Sequence, residues 1–114
     1  MGEYRFNCAL QADFKTRVSD NGNYDSPPTA SQAISVVESV RSLGKSDLPR
    51  KAHDDFDKAI DGVIGWLKHK ESVGYQPTGN YDISEARRTF IYQGTEYRVD
   101  IKPGGKTSKG GWFF

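Results

Sequence analysis

Gly105-Lys106-Thr107 reproduces the close of a phosphate-binding loop, in which backbone amides and a lysine cradle phosphates between a strand and a helix. That motif needs a further glycine upstream, and the position holds Asp100 or Val99, depending on whether Gly105 or Gly104 is aligned. The eight residues after Lys106 leave no room for the helix that must follow. A glycine turn describes the segment better than a nucleotide site. His53, Asp57 and Asp61 form an i, i+4, i+8 column that offers nitrogen and oxygen ligands. Three residues on one ridge cannot enclose an ion, so a solvated helix face accounts for them and no metal is expected. The other imidazole, His69, lies about 160° around the same helix from His53, at about 100° per residue. Cys8 stands among apolar residues and behaves as a small hydrophobe rather than a nucleophile. No serine lies in a Gly-x-Ser-x-Gly elbow, so neither acyl transfer nor a cofactor is expected.

Two charged regions remain. In the last quarter Arg87, Arg88, Arg98, Lys102, Lys106 and Lys109 face only Glu85, Glu96 and Asp100, an excess of three positive charges. Tyr92, Tyr97, Trp112, Phe113 and Phe114 are interleaved with them, as in surfaces that hold phosphates and stack bases. The binding residues expected from this pattern are Arg87, Arg88, Tyr92, Arg98, Lys102, Lys106, Lys109 and Trp112. The competing reading puts the aromatics in the core and lets the cations solvate strand faces. The second region is acidic: Asp54, Asp57 and Asp61 on one helix are an alternative docking face for a basic partner, although Asp57 and Asp61 repel at i, i+4. An ordinary solvated face explains them too.

The elements that must position these residues are legible from hydrophobic spacing. From Tyr4 to Val18 apolar and polar residues alternate, which predicts a strand with one buried face, bent or frayed because the run exceeds the usual length. Residues 19–28, with Asp20-Asn21-Gly22-Asn23 and Pro27-Pro28, read as a loop. Thr29 and Gln32 form a capping box, and Ala33, Val36, Val37, Val40 and Leu43 mark one face of a helix that Gly44 should end. A second helix, capped by Ser46 or Asp47 with Pro49 in its first turn, carries the stripe Ala52, Phe56, Ala59, Ile60, Val63, Trp66 and Leu67. Gly62 and Gly65 inside it imply a close backbone neighbour or a bend. The short link favours an antiparallel helical hairpin.

After a turn-rich loop over residues 74–82, residues 89–92 and 95–102 form a β-hairpin around Gln93-Gly94. A two-residue turn sets Tyr92 against Thr95 and Phe90 against Tyr97, and brings Arg87 to Asp100. Residues 103–114 read as a Gly/Lys-rich tail ending in aromatics, either a further strand or a loose end. The expected fold is therefore α+β: an N-terminal strand, a two-helix antiparallel hairpin and a C-terminal β-hairpin or meander, forming a small antiparallel sheet covered on one face by helices.

A chain of 114 residues, numbered 1–114, suits a single domain. Its 16 basic and 15 acidic residues nearly cancel, so any electrostatic function must be local. Cys8 is the only cysteine, which excludes an internal disulfide and suits a reducing compartment. With no apolar export signal or spanning segment in these residues, the expected compartment is the cytoplasm and no membrane partner is expected.

These features point to a small non-catalytic binding or regulatory protein, an inhibitor or accessory factor. It would dock a larger protein or nucleoprotein complex, with RNA or DNA among its partners, through the basic-aromatic C-terminal surface. A protein-only inhibitor using the acidic helix is an alternative. The order strand, helix, helix, strand, strand also resembles that of the small RelE and ParE type toxins, whose ribosome-dependent members cut RNA with Arg, Lys, Tyr or His on the sheet. That resemblance implies an RNA-cutting surface occupied by Arg87, Arg88, Tyr92, Arg98 and Lys102, with no sheet histidine to match.

Overall fold

A computed structural model describes residues 4–74 and 85–106, the last four of these as backbone only. The N-terminal alternation does not run through one strand. It reverses at Asp13-Phe14, giving β1 (Tyr4–Ala12) and β2 (Lys15–Tyr24), which pair antiparallel with Ala12 opposite Lys15. Asp13 and Phe14 both adopt positive φ, 48° and 68°, the signature of a type I′ hairpin turn. The loop expected over residues 19–28 is thus strand as far as Tyr24. Its turn-forming residues are held by backbone pairing, with Cys8 opposite Asp20 and Phe6 opposite Gly22, while their polar side chains line a sheet edge. A bulge between Leu10 and Gln11 shifts the register, and Val18 and Tyr24 still pack against the core.

The capping box forms as expected: the Gln32 amide donates to Thr29 Oγ1 at 3.1 Å, and the Thr29 amide donates to Gln32 Oε1 at 2.9 Å. Helix α1 (Ala30–Asp47) runs past Gly44 and ends when the Leu48 amide bonds back to the Gly44 carbonyl at 2.8 Å. Gly44 is therefore a packing residue rather than a stop. A Cβ there would meet Phe56 Cζ at 2.3 Å, so the ring of Phe56 occupies the space a side chain would fill. Ser46 and Asp47 belong to α1 and do not cap the second helix. Pro49 instead precedes a short 3-10 turn, Arg50–Ala52, that leads into α2 (His53–Ser72).

The C-terminal hairpin consists of β3 (Arg88–Tyr92) and β4 (Thr95–Lys106), turning at Gln93-Gly94 with positive φ at both. Phe90 faces Tyr97 and Tyr92 faces Thr95, in the register expected from a two-residue turn. Pro103-Gly104-Gly105 does not end this arm. β4 continues to Lys106 because β1 lies beside it and pairs with it, Phe6 opposite Pro103 and Arg5 opposite Gly104. Residues 75–82 of the expected loop and 107–114 of the expected tail lie outside the described residues.

All pairings are antiparallel and the sheet order is β2-β1-β4-β3, so the first and last strands of the chain's two hairpins meet at its centre. The fold is α+β, with both helices on one face. Phe6, Cys8 and Leu10 of β1 and Val99 and Ile101 of β4 form the floor. Val36, Val37 and Val40 of α1 and Phe56, Ile60, Val63 and Leu67 of α2 close over it. Pairing of Lys45 with Asp57 and of Arg41 with Asp61 sets the two helices antiparallel. Leu43, expected in the buried stripe, is exposed instead. Gly62 faces the side chain of Arg88 rather than a neighbouring backbone, and Gly65 has no neighbour against a side chain among the described residues.

Helix propensity alone would favour Gly44→Ala by about 1 kcal/mol. Overpacking against Phe56 should reverse the sign and destabilise by roughly 1–3 kcal/mol, lowering the melting temperature by several degrees. A thermal melt that rises in this variant would show that Phe56 yields freely.

Candidate functional site

Strand alternation assigns the expected basic residues to two different faces. Arg88 and Tyr92 share the helix-covered face with Phe90, Tyr97 and Val99. Tyr92 packs at the edge of the core, and Arg88 lies over Gly62 with Nη1 donating to the Glu85 carbonyl at 2.7 Å. Phe90 and Tyr97 stack at 5.1 Å between centroids, and Phe90 reaches Phe56 at 6.4 Å. These aromatics belong to the packing between sheet and helices. Arg87, Arg98 and Lys102 point the other way, onto the face that carries no helix among the described residues. Lys106 closes the β4 backbone opposite Tyr4, and Lys109 and Trp112 lie outside the described residues.

The open face has its own organisation. From β1 it receives Arg5, Asn7, Ala9 and Gln11, opposite Gly104, Lys102, Asp100 and Arg98 of β4. Asp100 is its anchor. Its side chain is 7% exposed and accepts from Arg87 Nε at 2.8 Å, the cross-ladder pair expected from the hairpin register, with Arg98 at 3.9 Å on its other oxygen. Arg5 Nε donates to Asn23 Oδ1 at 3.1 Å on the neighbouring strand. Among the described residues two carboxylates, Asp100 and Glu96, thus share this face with four cations, Arg5, Arg87, Arg98 and Lys102. At its centre Asn7 is 8% exposed, and its Nδ2 donor has no hydrogen-bond partner among the described residues.

Phe14 belongs to the same site and no sequence pattern singled it out. The Arg98 guanidinium lies 4.7 Å from its ring centroid, yet the residue is 72% exposed. The left-handed conformation costs a residue with a Cβ about 1–2 kcal/mol, and glycine normally takes this turn position. The available signal was Asp13, a turn former in the middle of an alternation too long for one strand. The tip is tied sideways to β4: the Asp13 amide donates to the Glu96 carbonyl at 2.9 Å, and the Glu96 amide donates to Asp13 Oδ1 at 3.3 Å.

The acidic face has a different fate. Arg41 donates from Nη1 to Asp57 at 2.7 Å and from Nη2 to Asp61 at 2.6 Å, and its Nε reaches Glu38 at 2.8 Å. Lys45 adds a second bond to Asp57 at 2.8 Å. The Asp57–Asp61 repulsion seen in the sequence is thereby offset by cations from α1. Asp54 sits exposed in the first turn of α2 beside Asp55. The His53 ring bonds the Leu48 carbonyl at 3.0 Å, so the His53, Asp57 and Asp61 column does not converge on one point. Among the described residues no group of three His, Cys, Asp or Glu side chains could hold a metal ion. Cys8 is fully buried, and burial, reinforced by the charge of Asp100, pushes its thiol far above the ordinary range.

The chain matches no protein-family model, and it has no significant match among curated proteins or solved structures. The order of elements also departs from the expected toxin-like one, because two strands rather than one precede the helices.

Partial burial raises the Asp57 pKa, but the hydrogen bonds from Lys45 and Arg41 outweigh it and hold the carboxyl below its usual value. A depressed folded pKa contributes stability above the unfolded value, near pH 4, and loses it as pH falls through the folded value. The melting temperature should therefore drop on acidification below about pH 4, and Asp57→Asn should make that drop shallower. The unpartnered Asn7 donor generates a second expectation. Asn7→Val removes it and adds a β-branched side chain to a central strand, so the melting temperature should hold or rise.

Proposed function

We propose that the protein is a non-catalytic binding protein that docks an anionic partner, a nucleoprotein complex or the nucleic acid within it, on the open face of its sheet. The observation that carries this reading is the segregation of charge. Four acidic residues of the helical layer are paired within the chain, Glu38, Asp57 and Asp61 with Arg41 and Asp47 with Arg17 of β2 at 2.9 Å. Among the described residues the opposite face of the sheet carries more cations than carboxylates, and around its buried centre of Asn7, Ala9 and Asp100 it presents the amide and hydroxyl groups of Gln11, Asn21 and Thr89. Cations supply attraction to phosphates that does not depend on sequence, and amides and hydroxyls supply hydrogen bonds to phosphate and sugar oxygens. Lys106, Lys109 and Trp112 extend the basic-aromatic character of the sequence toward the same end of the chain.

The acidic docking alternative has less support, since only Asp54 of its three residues is outside the Arg41 network. Among the described residues no helix is long and apolar enough to cross a membrane.

Replacing Arg98 and Lys102 together by Gln should weaken binding to a labelled oligouridylate and reduce the slope of log affinity against log salt by roughly 0.7 for each phosphate that is no longer neutralised. Arg41→Gln, in the helical layer, should leave that slope unchanged. Fluorescence anisotropy across a salt series measures both. Absence of binding to single- or double-stranded RNA and DNA at low salt, where phosphate attraction is strongest, would remove nucleic acid from this reading.

A further inference from the structure

We propose that Phe14 and Arg98 form a stacking platform for an unpaired base of a single-stranded nucleic acid, an inference that rests on the open face being an anion-docking surface. Phe14 is 72% exposed at φ +68°, in a turn position where glycine would be free of strain. Core packing does not explain an aromatic there, and hairpin formation opposes it. The turn that carries the ring is nonetheless anchored. The two hydrogen bonds between Asp13 and Glu96 anchor the tip to β4, and the Arg98 guanidinium lies 4.7 Å from the ring centroid.

An exposed aromatic on an anchored turn, beside an arginine, matches the chemistry of base recognition, because every base offers a π-face that stacks on either group. Charge decides between this ligand and an uncharged aromatic or proline-rich peptide. Arg98 continues along β4 to Lys102 on the same face, about 13 Å away at about 3.3 Å per residue. A polyanion that stacks a base on Phe14 therefore meets further cations along its backbone. Single strands are favoured over duplexes because paired bases hide their faces within the stack.

Phe14→Gly is the decisive variant, since it relieves the left-handed strain and should raise the melting temperature while removing the platform. It should weaken binding to oligouridylate by roughly 5- to 150-fold, the range expected for one stacked base. An abasic ribose-phosphate chain of equal length should bind the wild type and Phe14→Gly alike, and Phe14→Trp should restore oligouridylate binding. Equal affinity of wild type and Phe14→Gly for oligouridylate would overturn the platform and leave the anion-docking reading standing. Failure of the wild type to bind either chain at low salt would overturn both and point to a protein partner.

Discussion

The antiparallel ladder between β1 and β4 is the contact on which the rest of the structure depends. It joins residues about as far apart as the chain allows, with Cys8 opposite Ile101 and Leu10 opposite Val99, and it merges two local hairpins into one sheet. An isolated two-stranded hairpin is marginal in water, whereas four strands with an apolar face are not. Closing so long a loop costs conformational entropy before any contact repays it. The floor of Phe6, Cys8, Leu10, Val99 and Ile101 is what offsets that cost, because it exists only when both strands are in place. The same ladder creates the open face, since Arg5, Asn7 and Gln11 reach Arg98, Asp100 and Lys102 only across it.

The helical layer is adapted to that floor in shape and in charge. Gly44 lets the ring of Phe56 enter the helix–helix contact, and Gly62 leaves room for the side chain of Arg88. Arg41, whose charge is opposed by burial but more strongly favoured by Glu38, Asp61 and Asp57, gathers three carboxylates at the helix junction. Exposed ion pairs are individually weak, and a network on one partly buried arginine is the arrangement in which they matter. Its further effect is to pair off Glu38, Asp57 and Asp61 on the helical side of the molecule.

Two features of the open face run against stability. Phe14 occupies a turn position that favours glycine, and Asn7, on a central strand, keeps a buried donor without a partner among the described residues. Local choices that disagree with the fold are concentrated at functional or strained sites in natural proteins. Here both lie on the face that the helices do not cover, beside Arg98 and Lys102. Their coincidence on one surface is the physical reason to look for a partner there.

The sequence by itself determined the α+β class, the capping box at Thr29 and Gln32, the core stripe of α2, and the register that sets Arg87 against Asp100. Each rests on spacing within a short segment, where periodicity and side-chain chemistry act locally. It did not reveal the Asp13-Phe14 turn, because the two-residue reversal shifts the alternation by one residue and the bulge at Leu10/Gln11 shifts it back, so that Val18 resumes the even-numbered apolar pattern of β1, and phenylalanine carries no turn signal. Nor did it reveal that the basic residues divide between faces, leaving Arg88 and Tyr92 against the helices while Arg5 and Phe14 join Arg98. That division depends on which strand lies beside which, and only the long-range pairing of β1 with β4 decides it, since nothing within either strand specifies the other as its neighbour.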